Sequence, residues 1–525
     1  MKTKMNITTW LMLAVLLAVF AAGCAAPAAT ATPTEETAIP EEPVETATEA
    51  LATEPAVAEG TAEPVNPELL EGKWEGTISV AGGILNMAVT FTGAEDGLSA
   101  SLDISDQGLY GYELANVEFT NPSISFEGFE EMNGKAVWAG ELSEDEIITG
   151  EFTQLGYTGT FELTKVDMAA AAQATQTALA ALTYREEEVS INNQDVTLGG
   201  TLSLPEGEGP FPVVILITGS GAQNRDEEIL GFKPFGIIAD YLATNSGVAV
   251  LRYDDRGIGA STGDTASSTS EDFTSDVLAW VEYLKTRPDI DPKAIGLLGH
   301  SEGGLIAPMA ASQSEDIAFI VLMGGPAQSG EEIIYKQVEL IARASGVPED
   351  QITEALAQQR RLFDGLIRGQ DWEGAKEELR QQIVDQVNAL PEAQKQTLGD
   401  LDQYAENAYQ QQITSLESPW YRYFVEYDPM PVLEELTTTP VLALFGGLDL
   451  QVPADPNADM MKTALEGAGN LDVTVITYPK ANHLFQTAIT GNPSEYSTLE
   501  PAFTEDFLED IARWLRVEIS LINQS

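Results

Sequence analysis

Residues 294–308 read Ala294-Ile295-Gly296-Leu297-Leu298-Gly299-His300-Ser301-Glu302-Gly303-Gly304-Leu305-Ile306-Ala307-Pro308. Ala294–Leu298 is short and without a polar side chain, as a strand covered on both faces must be. A Gly-x-Ser-x-Gly motif, Gly299 to Gly303, follows it, and GLIAPMAAS then reads as a helix. By itself that motif recurs by chance. Between a strand and a helix it describes a turn so sharp that side chains at the glycine positions would strike neighbouring elements. Such a turn pushes Ser301 out above the sheet, near the positive end of the following helix.

Working outward, the same texture repeats. Val196–Leu204, Pro212–Ile217 (PVVILI), Gly247–Arg252, Ile317–Met323, Pro440–Phe445 and Val473–Tyr478 read as strands, with amphipathic helices such as Asp272–Lys285 between several of them. That alternation predicts an α/β fold, a doubly wound and mostly parallel sheet, over residues 184–525. Residues 328–432 interrupt it with a long Gln/Glu/Leu/Arg-rich helical stretch, which reads as an inserted cap.

A serine hydroxyl needs a base. The chain contains two histidines. His300 adjoins Ser301, so its side chain must leave the turn in another direction, and it reads as a packed structural residue. His483, on the loop after Val473–Tyr478, is then the candidate base. The base needs a carboxylate to fix its tautomer. Asp449 follows Pro440–Phe445 directly, and the order Ser301, Asp449, His483 is the one a strand–elbow–helix hydrolase uses; Asp455 and Asp459 are fallbacks. Backbone donors for an oxyanion should come from the amide of Glu302 and from Thr218-Gly219-Ser220-Gly221, with Ser220 first and Gly221 second. The charged run Arg252–Ser261 reads as a turn network holding the loops of the site rather than as a binding site.

Upstream, Lys73–Val80, Ile84–Thr92, Leu98–Ile104, Tyr110–Phe119, Ser123–Phe129, Ala136–Leu142, Ile147–Thr153 and Tyr157–Leu163 alternate apolar and polar residues between turn signals. They predict a small antiparallel β-barrel or sandwich over residues 69–166. Residues 167–183 are Ala-rich, without Gly or Pro, and read as a connecting helix.

At the start of the chain, Lys2 and Lys4 precede an apolar run, Trp10–Phe20, too short for a bilayer span of roughly 20 residues but suited to a signal peptide. It ends in Ala21-Ala22-Gly23-Cys24, similar to a lipobox. Residues 1–23 are thus expected to be a lipoprotein signal peptide. Cys24, the sole cysteine, would be the lipidation site holding an extracytoplasmic protein to a bacterial membrane. Residues 24–68, mostly Ala, Thr, Pro, Glu and Val, are expected to form a disordered acidic linker. The formal net charge of −57 repels nucleic acid and anionic lipid headgroups. A saline habitat, where salt screens self-repulsion, would suit such a surface.

Together, Thr218–Glu227 (TGSGAQNRDE), Lys233–Phe235, Arg252–Gly263 (RYDDRGIGASTG), Gly296–Pro308, Gly446–Pro453 and His483–Gln486 resemble the alpha/beta-hydrolase superfamily. More narrowly they are similar to bacterial secreted or lipoprotein carboxylesterases of the serine aminopeptidase-like or dienelactone-hydrolase-like kind. Lys73-Trp74-Glu75-Gly76 and Asp106-Gln107-Gly108 also resemble the N-terminal domain such esterases carry. Thr218 departs from the pattern, since many relatives have His before the oxyanion glycine. The resemblance implies hydrolysis of a small-molecule acyl ester by an acyl-enzyme route, with no metal and no organic cofactor, by a monomer. Two alternatives are a peptidase or amidase using the same triad and a non-catalytic surface binding protein.

Overall fold

The computed structural model describes residues 69–524 apart from 81–82, 95–96, 105–108, 130–134, 144–145, 155–156, 167–182, 391, 396–397 and 399. The expected signal sequence with Cys24, the acidic linker and nearly all of the connecting helix lie outside the described residues. The chain divides into two compact units, a barrel and an α/β domain.

Eight strands make the first unit: β1 (Gly72–Val80), β2 (Gly83–Ala94), β3 (Gly97–Ile104), β4 (Leu109–Thr120), β5 (Ser123–Gly128), β6 (Ala136–Leu142), β7 (Ile147–Gln154) and β8 (Tyr157–Lys165). They run in sequence order around a closed barrel, where β1 meets β8 from Trp74↔Lys165 to Val80↔Gly159. Closure leaves no strand edge unpaired. The two-residue period buries Trp74 and Ile78 on β1, Phe126 on β5 and Trp138 on β6. Rings fill the interior: Phe126 stacks on Trp138 at 5.3 Å and Trp138 tilts against Phe152 at 5.1 Å. Gly76 lies where a Cβ would come within 1.8 Å of the Glu162 carbonyl oxygen, so only glycine fits that crossing.

The second unit is built on an eight-stranded sheet ordered β16-β15-β14-β13-β11-β12-β10-β9. Its strands are β9 (Tyr184–Asn193), β10 (Val196–Pro205), β11 (Phe211–Ile217), β12 (Ala249–Tyr253), β13 (Ile290–His300), β14 (Ile317–Met323), β15 (Val441–Gly446) and β16 (Val473–Tyr478). From β11 to β16 neighbours are parallel; β10 runs antiparallel to both β12 and β9. The apolar runs of β11, β13 and β14 are explained by separate cores on the two faces of the sheet, one around Trp280 and Ile306, the other around Phe319 and Phe507. β9 is absent from the sequence reading. It spells YREEEVSINN, buries Val189 as its one fully enclosed residue, and is held as an edge strand by ten register pairs with β10.

After β11 the chain forms β12 on one side of that strand, then crosses back to form β13 on the other. In open α/β sheets the crevice at such a reversal, outside the carboxyl ends of the strands, is where ligands bind. The inserted cap lies between β14 and β15 and includes helices Gly330–Ala344, Glu349–Leu366, Trp372–Ala389, Leu401–Leu416 and Pro419–Glu426. Ser329 and Glu332 form a capping box that starts the first of them. Gly330 lets that helix pass so close to Pro419–Glu426 that a Cβ would fall 1.8 Å from the Phe424 carbonyl oxygen.

Candidate active site

Ser301 stands between β13 and helix Gly303–Gln313 with φ 53°. A non-glycine residue held in that left-handed region costs roughly 1–3 kcal/mol and marks a functional turn. Close packing enforces it. A Cβ on Gly299 would lie 1.9 Å from the Gly303 carbonyl oxygen, and one on Gly303 would lie 2.2 Å from that of Ile217. The Ser301 amide donates to Met323 at 2.9 Å and the Gly304 amide to the Ser301 carbonyl at 2.8 Å.

Asp449 and His483 come from the loops after β15 and β16. His483 Nδ1 and Asp449 Oδ2 are 2.7 Å apart, with both side chains almost wholly buried. The other Asp449 oxygen, Oδ1, accepts from the amides of Gln451 at 2.7 Å and Val452 at 2.9 Å. Three groups thus hold the carboxylate, and it in turn fixes the imidazole. Asp455 and Asp459 are exposed on helix Ala454–Gly467 and do not line the site. Ser301 and His483 line one cavity of about 50 Å3 together with Ser220, Glu227, Glu302, Gln337 and Tyr496. Among the described residues no hydrogen bond joins Ser301 to His483; such bonds commonly tighten only around bound substrate.

The two leading oxyanion candidates border this cavity. The amides of Ser220 and Glu302 donate to no protein acceptor among the described residues. Gly219 is excluded as a donor, since its amide is given to Glu227 Oε1 at 2.7 Å. Gly221, the second choice, does not line this cavity. It borders a neighbouring cavity with Tyr253 and Asp255 and has a φ of +99°. Thr218 donates its hydroxyl to Asp255 Oδ1 at 2.7 Å. Burial pushes the Asp255 carboxyl well above the usual carboxylate range.

His300 is packed, as its position predicts, and has a further use. Its Nδ1 lies 2.8 Å from Glu227 Oε1 and its Nε2 3.0 Å from the carbonyl oxygen of His483. Burial pushes its pKa down, but the neighbouring Glu227 carboxylate outweighs this and the net shift is upward. Glu227 therefore ties the Gly219 amide to the ring that braces the His483 loop. The sequence reading missed it, because one acid in TGSGAQNRDE carries no mark of burial. Glu302 was expected to contribute only its amide. Its side chain is buried, which raises its pKa against the hydrogen bonds from Ser270, Trp420 and Ser220. Ser270 donates at 2.6 Å and the Trp420 indole, from the cap, at 3.0 Å to each oxygen. The run Arg252–Ser261 is a turn network: Arg225 pairs with Asp254 at 2.7 Å, and Asp254 Oδ2 also accepts from the Ala260 amide at 3.0 Å.

Residues 234–487 match the family model described as serine aminopeptidase, S33. The chain is 27% identical to esterase EstD of Thermotoga maritima, over 63% of this chain and 68% of that one. It is 30% identical to the mitochondrial acyl-coenzyme A thioesterase 2 of Rattus norvegicus, over 27% of this chain and 28% of that one. A solved esterase of Pyrococcus furiosus superposes with a TM-score of 0.40 at 15% identity, covering 65% of this chain and 93% of that one.

Proposed function

From a chain that is an esterase-type hydrolase of the alpha/beta-hydrolase superfamily, we propose that it cleaves short-chain carboxylic esters through an acyl-enzyme on Ser301. Ser301 Oγ attacks the acyl carbonyl while His483 Nε2 takes its proton, and Asp449 stabilises the resulting imidazolium. The amides of Ser220 and Glu302 receive the oxyanion. Collapse breaks the acyl C–O bond, and the departing alcohol leaves with the proton held on His483. Water, deprotonated by the same ring, then attacks the acyl-enzyme and frees the acid and Ser301.

One observation carries this reading: the buried His483–Asp449 pair at 2.7 Å opens onto the same cavity as a serine held in a left-handed turn. The cavity of about 50 Å3 supports a small acyl group, being far below the roughly 300–1,000 Å3 typical of sites for drug-sized ligands. Purified protein is expected to hydrolyse p-nitrophenyl acetate and butyrate, with activity lost in Ser301→Ala. Faster turnover of aminoacyl nitroanilides would assign it to amide bonds instead.

The protein is further proposed to act as a monomer, outside the cytoplasm, held to a bacterial membrane by lipid on Cys24. The support is the basic, apolar and small-residue order before Cys24. Processing unchanged by globomycin would overturn the anchor. Among the described residues no helix is long and apolar enough to cross a membrane.

A further inference from the structure

Glu302, directly after the nucleophile, carries a side chain for which acyl transfer itself has no task. It is 2% exposed, and an ionisable group is kept out of water only where donors surround its oxygens. Three parts of the α/β domain supply them. Ser270, the first residue of helix Ser270–Lys285, donates at 2.6 Å. The Trp420 indole, on cap helix Pro419–Glu426, donates at 3.0 Å to each oxygen. The hydroxyl of Ser220, on the loop after β11, gives a further hydrogen bond.

Ser220 and Glu302 are also the two residues whose amides serve the oxyanion. The separate stretches of chain that carry the two donors are therefore tied to each other by their own side chains. On its other side the Ser220 loop is held by Glu227 Oε1, which accepts from the Gly219 amide at 2.7 Å. The loop runs close to the nucleophile, since a Cβ on Gly219 would lie 3.2 Å from Ser301 Cβ. A shift of this loop moves one donor relative to the attacked carbonyl, and a misplacement of about 1 Å can lower a rate by about 10²-fold. Trp420 brings the cap to the same carboxyl, so cap and oxyanion loop share one anchor.

We propose that Glu302 is a positioning residue, whose carboxyl holds the Ser220 loop at the separation the two oxyanion amides require and joins the cap to that loop through Trp420. This rests on the ester-hydrolase reading and adds to it a residue that acts through its neighbours. The oxyanion forms only as the reaction proceeds, so loosening its donors lowers kcat and leaves KM nearly unchanged. An indole can only donate, so the group facing it must accept. Glutamine can present its carbonyl oxygen to Trp420 and its amide nitrogen to a serine hydroxyl. Methionine fills similar space and offers neither.

The test measures kcat and KM for p-nitrophenyl butyrate in the wild type, Ser220→Ala, Glu302→Gln, Glu302→Met and the double variant of Ser220→Ala with Glu302→Met. Rates are taken per active site, titrated to completion with a fluorophosphonate. Ser220→Ala keeps the backbone amide and removes only the hydroxyl, and its kcat should fall about tenfold with KM within about twofold. Glu302→Met should lose about 10²-fold in kcat and Glu302→Gln should recover most of that loss. The double variant should be no slower than Glu302→Met, because both changes cut the same tie. An unchanged kcat in Ser220→Ala, a Glu302→Gln as slow as Glu302→Met, losses that fall on KM, or losses that multiply in the double variant overturn the positioning role while the ester reading stands. A wild type that hydrolyses no ester overturns both. Ser220→Ala and Glu302→Gln decide the matter even if Glu302→Met does not fold.

Discussion

At the scale of single residues, the site depends on groups whose charge is set by what surrounds them. Asp449 accepts two backbone amides and faces His483 Nδ1, so Asp449→Asn keeps the shape but supplies the wrong tautomer. Its kcat for p-nitrophenyl butyrate should fall by about 10⁴-fold with the fold retained, as expected for a triad carboxylate; a loss under tenfold would remove Asp449 from the triad. Away from the site, Glu518 on helix Phe507–Ile522 is 4% exposed. Burial, followed by the nearby Asp472 carboxylate, pushes its pKa up to about 7. The folded state therefore binds its proton more tightly than the unfolded one. That contribution is fully present below the ordinary glutamate range and is lost as pH rises through about 7. Glu518→Gln should raise the Tm by about 2 °C at pH 8 and leave it unchanged at pH 5. Equal effects at both values would contradict the assignment.

Among elements, a hydrogen bond from the cap reaches the residue after the nucleophile. Glu302 follows the nucleophile, and its carboxyl accepts from Trp420 on cap helix Pro419–Glu426. Trp420→Phe leaves that buried carboxyl short of a donor, and urea unfolding should show a loss of about 1–3 kcal/mol. No change would mean that the contact is not made in solution. The strands were legible where periodicity or continuous apolar character reports burial. β13 and β14 announced themselves because both faces of the sheet are covered, and the barrel strands because one face is. β9 did not, since a half-exposed edge strand rich in acids looks like a loop. The serine elbow, Asp449 and His483 were readable because each sits just past a legible strand, and the scarcity of histidine narrowed the choice. Glu227, Gln337 and Trp420 were not. Their meaning lies in long-range packing that spacing along the chain does not encode.

On the scale of the whole molecule, charge dominates. The chain carries 83 acidic and 26 basic side chains, and its bases are largely spent in ion pairs such as Arg287 with Glu187 and Asp289. Unscreened repulsion should therefore destabilise the folded state at low ionic strength. The Tm is expected to rise between 0.05 and 1 M NaCl; a flat or falling profile would remove the saline-habitat reading. Within the α/β domain, sheet and cap surround one reactive atom, Ser301 Oγ. The most direct measurement is labelling with a fluorophosphonate followed by peptide mass spectrometry. The account predicts a single stoichiometric adduct on Ser301, absent from a folded Ser301→Ala variant. No adduct, or one that persists in Ser301→Ala, would contradict it.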